Sequence, residues 1–143
     1  MSRPPASHTT RIKVYYFDTD AGNVVHNVAY LRMVEVARTE LADAMGWTLE
    51  EMGRTGLVPV VARTEIDYLK PARLGDTLRI EGRVTKLEKI RFHLEFQLFR
   101  DADGVLLARS HQTMVTVNLA TGRPQPVPEA WTAAYPELVG VRE

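Results

Sequence analysis

The stretch NVAYLRMVEVARTELADAMG, residues 27–46, decides the architecture. Its apolar residues fall at Tyr30, Met33, Val34, Ala37, Leu41, Ala44 and Met45. That is the i, i+3, i+4, i+7 spacing that lays a stripe along one face of an α-helix. Arg32, Glu35, Thr39 and Asp43 fall largely off the stripe. Asn27 is a residue type that caps a helix start, and Gly46 stands where a helix stops. Such a helix is about 30 Å long at 1.5 Å per residue.

After this stretch the apolar period changes from 3.6 to 2. In 77–86, Leu78, Ile80 and Val84 oppose Thr77, Arg79, Glu81, Arg83 and Thr85. In 90–100, Ile90, Phe92, Leu94, Phe96 and Leu98 oppose Arg91, His93, Glu95 and Gln97. Residues 58–70 and 104–119 are rich in Val, Leu and Thr and read as longer strands. The turn PARLGD (71–76) and the Asp103-Gly104 pair mark reversals. A shorter strand, 11–17, precedes the helix, residues 1–9 read as a loose N-terminal arm, and a proline-rich tail ends in a short helix around Glu129–Ala134. Strands with no crossover helices between them pair antiparallel, and their apolar faces must cover the one long amphipathic helix. The sequence therefore predicts an α+β fold, a single domain over 10–143, with a curved antiparallel sheet wrapped around one central helix: the hot-dog arrangement.

Composition narrows the chemistry. The 143 residues carry 18 Lys+Arg against 18 Asp+Glu and no cysteine. The absence of cysteine rules out disulfides, thiolate metal sites and a cysteine nucleophile. The balanced charge argues against a nucleic-acid partner. No apolar run approaches the ~20 residues that span a bilayer, and the N-terminus lacks a secretory apolar region, so a cytoplasmic location is expected. Only Ser2, Ser7 and Ser110 are serines, with no G-x-S-x-G, P-loop or H-E-x-x-H. His8, His26, His93 and His111 show no ligand spacing, so no metal site is expected.

The chemistry concentrates at the junction YYFDTDAGNVVHNVAY, residues 15–30. It gathers Asp18, Asp20, Gly22, Asn23, His26 and Asn27 just ahead of the helix. Free N–H groups at a helix start stabilise a developing oxyanion, and a nearby carboxylate supplies a nucleophile or a base for water. The same residues are also ordinary turn formers, so a purely structural role is the competing reading.

The segment DTDAGNVVHNVAYLRMVEVARTEL strongly resembles the signature of the 4-hydroxybenzoyl-CoA thioesterase family, most closely its short acyl-CoA branch, which includes Tol–Pal-associated members. VVARTEIDYLKPARLGDTLRIEGRV and VNLATGRPQPVP are further similar pieces, so the likeness covers nearly all of 10–130. The resemblance implies hydrolysis of an acyl- or aroyl-CoA thioester without cofactor by a hot-dog subunit that forms dimers and further tetramers. It places the catalytic carboxylate on Asp20, as nucleophile or general base, and the carbonyl-binding amides on Asn27 with Val28. Asp18 is expected to brace the loop. That branch carries Tyr-His where this chain has His26-Asn27, so the histidine stands one residue earlier. His26 remains a catalytic candidate and Tyr30 a pocket-wall candidate.

Coenzyme A phosphates need cations. In the family, basic residues on the turn between the third and fourth strands meet the nucleotide, which here makes Lys89 and Arg91 candidates and Arg63 a further one. Two rivals stay open: a hot-dog hydratase or dehydratase acting on a thioester through His26, and a non-catalytic acyl-CoA-binding protein.

Overall fold

The period-2 segments become the middle of one sheet in the structure, a computed structural model that describes residues 3–140. In chain order the elements are β1 (Ser7–Lys13), α1 (Asn27–Ala44), α2 (Leu49–Thr55), β2 (Leu57–Tyr68), β3 (Thr77–Leu87), β4 (Arg91–Arg100), β5 (Leu106–Asn118) and α3 (Glu129–Ala134). The five strands pair antiparallel in the order β1-β3-β4-β5-β2. Leu78, Ile80, Val84, Phe92, Leu94, Phe96, Leu98, Ala108 and Met114 make the buried face, and α1 covers it with Tyr30, Met33, Val34, Ala37 and Leu41. This is the expected α+β hot-dog layout. Among the described residues no helix is long and apolar enough to cross a membrane.

The sheet comes within reach of the helix where one side chain is missing. Gly82 faces Phe96 across β3 and β4, and a Cβ there would lie 2.8 Å from the Phe96 ring and 3.7 Å from Leu41. Bulges between Val84 and Lys86, Leu98 and Phe99, and Val61 and Arg63 bend the sheet around α1. At the helix end Gly46 takes φ 87° and Trp47 N–H returns to the Ala42 carbonyl at 2.8 Å, closing a Schellman-type stop.

Several expectations are corrected. The first strand begins at Ser7, inside the stretch expected to be a loose arm, because 7–9 satisfy their backbone groups on the β3 edge, with Ser7 opposite Arg83. Arg3 ion-pairs with Glu137. Residues 1–2 of that arm and 141–143 of the expected domain lie outside the described residues. The strand stops at Lys13 rather than 17, where the chain turns through a 3-10 helix at Tyr16–Asp18. Of the expected stripe on α1, Ala44 faces solvent and Ala42 is buried in its stead, while Met45 just past the helix is buried as expected. The short helix α2 was not anticipated, yet Thr48 carries its signal, accepting from the Glu51 amide at 3.0 Å. The tail is a lid on the core: Trp131 is buried against Trp47 and Phe92 and donates to the Met45 carbonyl at 3.1 Å.

Candidate active site

The junction between β1 and α1 is a tight hairpin. Asp20 N–H donates to the Val24 carbonyl at 3.0 Å, Thr19 bridges Val25, and His26 N–H donates to the Asp18 carbonyl at 2.9 Å. Asn23, at φ 61°, supplies the left-handed residue that the reversal needs. Asp18 is buried beneath this hairpin. Its Oδ1 accepts from Arg32 Nη2 at 2.6 Å and its Oδ2 from the Tyr15 amide at 3.0 Å. The bracing role expected for Asp18 is what the contacts give it.

The helix is capped by His26 rather than Asn27, which is already its first residue. His26 Nδ1 accepts from Ala29 N–H at 3.1 Å, so the ring's hydrogen sits on Nε2 in the capping form. Among the described residues no protein acceptor meets the Asn27 or Val28 N–H. These are the orphan donors of a helix start, aligned with the positive end of its dipole. The Val28 side chain itself is exposed.

Beside the mouth lies a cavity of about 260 Å3 lined by Val25, Asn27, Tyr30, Tyr68, Leu69, Lys70 and Pro71. Tyr30 is buried, and its hydroxyl accepts from Ala72 N–H at 3.2 Å. Burial pushes the Tyr30 phenol above its ordinary pKa and outweighs the opposing pull of the Ala72 amide. The Tyr68 ring meets Tyr30 edge-on at 5.2 Å, and its hydroxyl donates to the Asn27 carbonyl at 3.3 Å. Tyr68 and Lys70 were not singled out from sequence. They reach the mouth because β2 runs the length of the molecule and ends there.

Asp20 is exposed on the hairpin arm facing the one that enters the helix. Its Oδ1 accepts from Gly22 N–H at 2.9 Å, the Asx-turn bond that the structural reading anticipates, while Oδ2 has no protein partner among the described residues. It stands opposite Val24, two residues and roughly 7 Å along the strand from the level of His26. It does not line the 260 Å3 cavity.

The expected cations lie elsewhere. Arg63 sits at the β2 bulge, exposed and paired with Glu65 at 2.5 Å. Lys89 and Arg91 line a separate groove of about 1120 Å3 together with Lys86, Pro126, Thr132 and Gly140. That groove adjoins the C-terminal end of α1, where Phe92 and Trp131 pack on Trp47. The 18 residues of α1, about 27 Å, separate it from Asp20, His26 and Asn27 of the same chain.

Residues 16–135 match the Thioesterase-like superfamily. The chain is 31% identical over 128 residues to an acyl-CoA thioesterase, YbgC, of Haemophilus influenzae, covering 89% of this chain and 93% of the relative. It is 29% identical to a 1,4-dihydroxy-2-naphthoyl-CoA hydrolase of Thermosynechococcus vestitus, covering 91% of each. The crystal structure of Slr0204, a 1,4-dihydroxy-2-naphthoyl-CoA thioesterase from Synechocystis, superposes with a TM-score of 0.81 at 26% identity, over 92% of this chain and 97% of that one. A curved sheet around one helix, a carboxylate-bearing hairpin at the helix mouth and a match over nearly the whole length agree: the chain belongs to the Thioesterase-like superfamily.

Proposed function

We propose that this chain, a thioester hydrolase by family, cleaves short- or medium-chain acyl-CoA or aroyl-CoA thioesters to the free acid and coenzyme A. The observation that carries the reading is the pair of unpartnered amides at Asn27 and Val28 on the helix that follows the Asp20 hairpin, where one Asp20 oxygen is free. In this scheme the thioester carbonyl oxygen rests on the Asn27 N–H, joined by that of Val28, which take up the charge as the carbon becomes tetrahedral. The free Asp20 oxygen either attacks that carbon, giving a mixed anhydride that water then opens, or takes a proton from the attacking water. In both routes the C–S bond breaks and the sulfur leaves as CoA thiolate, then gains a proton. The scheme uses no cofactor.

The site is completed by a second copy. β2 is a 12-residue edge strand whose outer side has no partner strand among the described residues, and it exposes Val60 and Val61. Antiparallel pairing of two such edges about their middles sets the Tyr68 end of one copy beside the Leu57 end of the other. Arg91 pairs with Val115, and Val115 with Val60, so Arg91 of the second copy lies three strand spacings, about 14 Å, from the first copy's β2 near its mouth end. That separation suits a nucleotide held at the far end of a pantetheine arm, with Lys89 and Arg91 serving the neighbouring site.

The relatives named acyl-CoA thioesterase and 1,4-dihydroxy-2-naphthoyl-CoA hydrolase support an acyl-CoA, and among these an aroyl-CoA, as the substrate class. A thiol-release screen over acyl-CoA chain lengths and aroyl-CoAs tests the reading. Release from at least one class is expected; tight binding without release would make the chain a binding protein, and hydration of an enoyl-CoA would make it a hydratase.

A further inference from the structure

Lys70 is the cation of the 260 Å3 cavity, and nothing in the scheme above uses it. Its backbone is fixed: Leu69 and Lys70 N–H both donate to the Leu107 carbonyl, at 2.8 and 3.0 Å, and Pro71 restricts the residue before it. Arg32, Arg38, Arg63, Arg100 and Arg109 each have a carboxylate within 4.0 Å. Among the described residues the exposed Lys70 has none, which is equally true of Lys13, Arg73, Lys89, Arg91 and Arg123; unlike them it lines the cavity beside Asn27, where no other lining residue is charged. An ammonium group left without a counter-ion beside apolar walls attracts an anion.

Position says which part of a substrate brings that anion. Lys70 shares its cavity with Asn27, so it stands at the reacting end of a CoA thioester. The phosphates of coenzyme A are held away from this end by the whole pantetheine arm. Of the anions a CoA thioester carries, the one within reach of Lys70 is therefore one borne by the acyl group. Val25, Leu69, Pro71 and the rings of Tyr30 and Tyr68 give the cavity apolar sides suited to methylene groups. Lys70 and Asn27 line the same small cavity, so the chain between the thioester carbonyl and the distal charge is short.

We propose that Lys70 makes the site selective for short acyl groups that end in a carboxylate of their own, that is, CoA monothioesters of dicarboxylic acids. The inference rests on the thioesterase reading and narrows its substrate class. The ammonium pairs with the distal carboxylate and leaves the thioester carbonyl to the helix amides.

The test compares glutaryl-CoA with pentanoyl-CoA, which have the same number of acyl carbons and differ in the terminal charge. The protein is expected to prefer glutaryl-CoA about tenfold in kcat/KM at low salt, the preference shrinking as salt rises. Lys70→Gln should bring the ratio close to one, Lys70→Arg should keep most of it, and Lys70→Glu should invert it. Equal losses on both esters, or no preference in the unsubstituted protein, overturns the proposal. Sedimentation of Lys70→Gln checks a further outcome: dissociation would mean that Lys70 pairs with a carboxylate of a second copy, which also overturns it. If no CoA ester releases thiol, the thioesterase reading fails by itself. Calorimetric titration with the same two esters then decides the role of Lys70 through the same ratio, now in Kd.

Discussion

Arg32 on the second turn of α1 reaches 2.6 Å from the carboxylate of Asp18, which is only 1% exposed. This pair ties the hairpin that carries Asp20 to the helix that carries the free amides. Removing one partner of a buried pair costs about 3–5 kcal/mol, and the 41% exposure of Arg32 lowers that to roughly 2–3 kcal/mol. Arg32→Leu should therefore lower the unfolding free energy by about that amount in urea, with loss of turnover beyond what the unfolded fraction explains. A loss below about 0.5 kcal/mol would show that the pair is not structural.

His26 is the helix cap, and capping can be separated from chemistry. His26→Ala should cost about 1 kcal/mol, while His26→Asn, which offers its own acceptor, should recover most of that stability. If the imidazole acts only as a cap, His26→Asn also keeps turnover within about tenfold. A hundredfold loss in a stable His26→Asn protein would place the ring in the reaction.

Gly82→Ala should destabilise by about 1–3 kcal/mol, because the new methyl meets the Phe96 ring at 2.8 Å. Thermal melting checks it, and adding Phe96→Leu should restore part of the loss. Wild-type stability in the single variant would mean that the sheet can shift away from the helix.

Assembly through β2 predicts that Val61→Lys, on its exposed edge, yields monomers in sedimentation and loses activity in parallel. A monomer with full activity would separate the site from the edge.

Acid should weaken the fold partly through Glu88. The bond from His93, at 2.8 Å, holds the Glu88 carboxyl below its usual 4.5, helped by the charges of Lys86, His93 and Arg91. A lowered carboxyl contributes stability that is complete above its unfolded value and is lost as pH falls through its folded one. The melting temperature should thus fall from about pH 5 downward, and less steeply in Glu88→Gln. An unchanged slope would mean that the pair persists in the unfolded chain.

Much of this was legible locally. The α1 stripe, apart from Ala44, and the alternation of Phe92, Leu94, Phe96 and Leu98 mark elements whose faces are set by burial, and these were read correctly. β2 was legible as a strand but not as an edge, since its Val and Leu content does not tell which side lacks a neighbour. Helix α2 lacks an apolar period and showed only as Thr48 three residues ahead of Glu51. At the site, the junction was found because its polar residues are contiguous. Tyr68 and Lys70 were missed because they join it through the pairing of β2 with β5, where Tyr68 lies opposite Ala108, a relation between distant segments. The cap fell on His26 instead of Asn27 by one residue, a choice set by where the hairpin releases the chain.

The most direct measurement is kcat for thiol release by Asp20→Asn, which keeps the Gly22 hydrogen bond while removing the charge. The account predicts a loss of at least ~100-fold with the melting temperature little changed. Turnover near that of the unsubstituted protein would contradict it and leave Asp20 as a turn residue only.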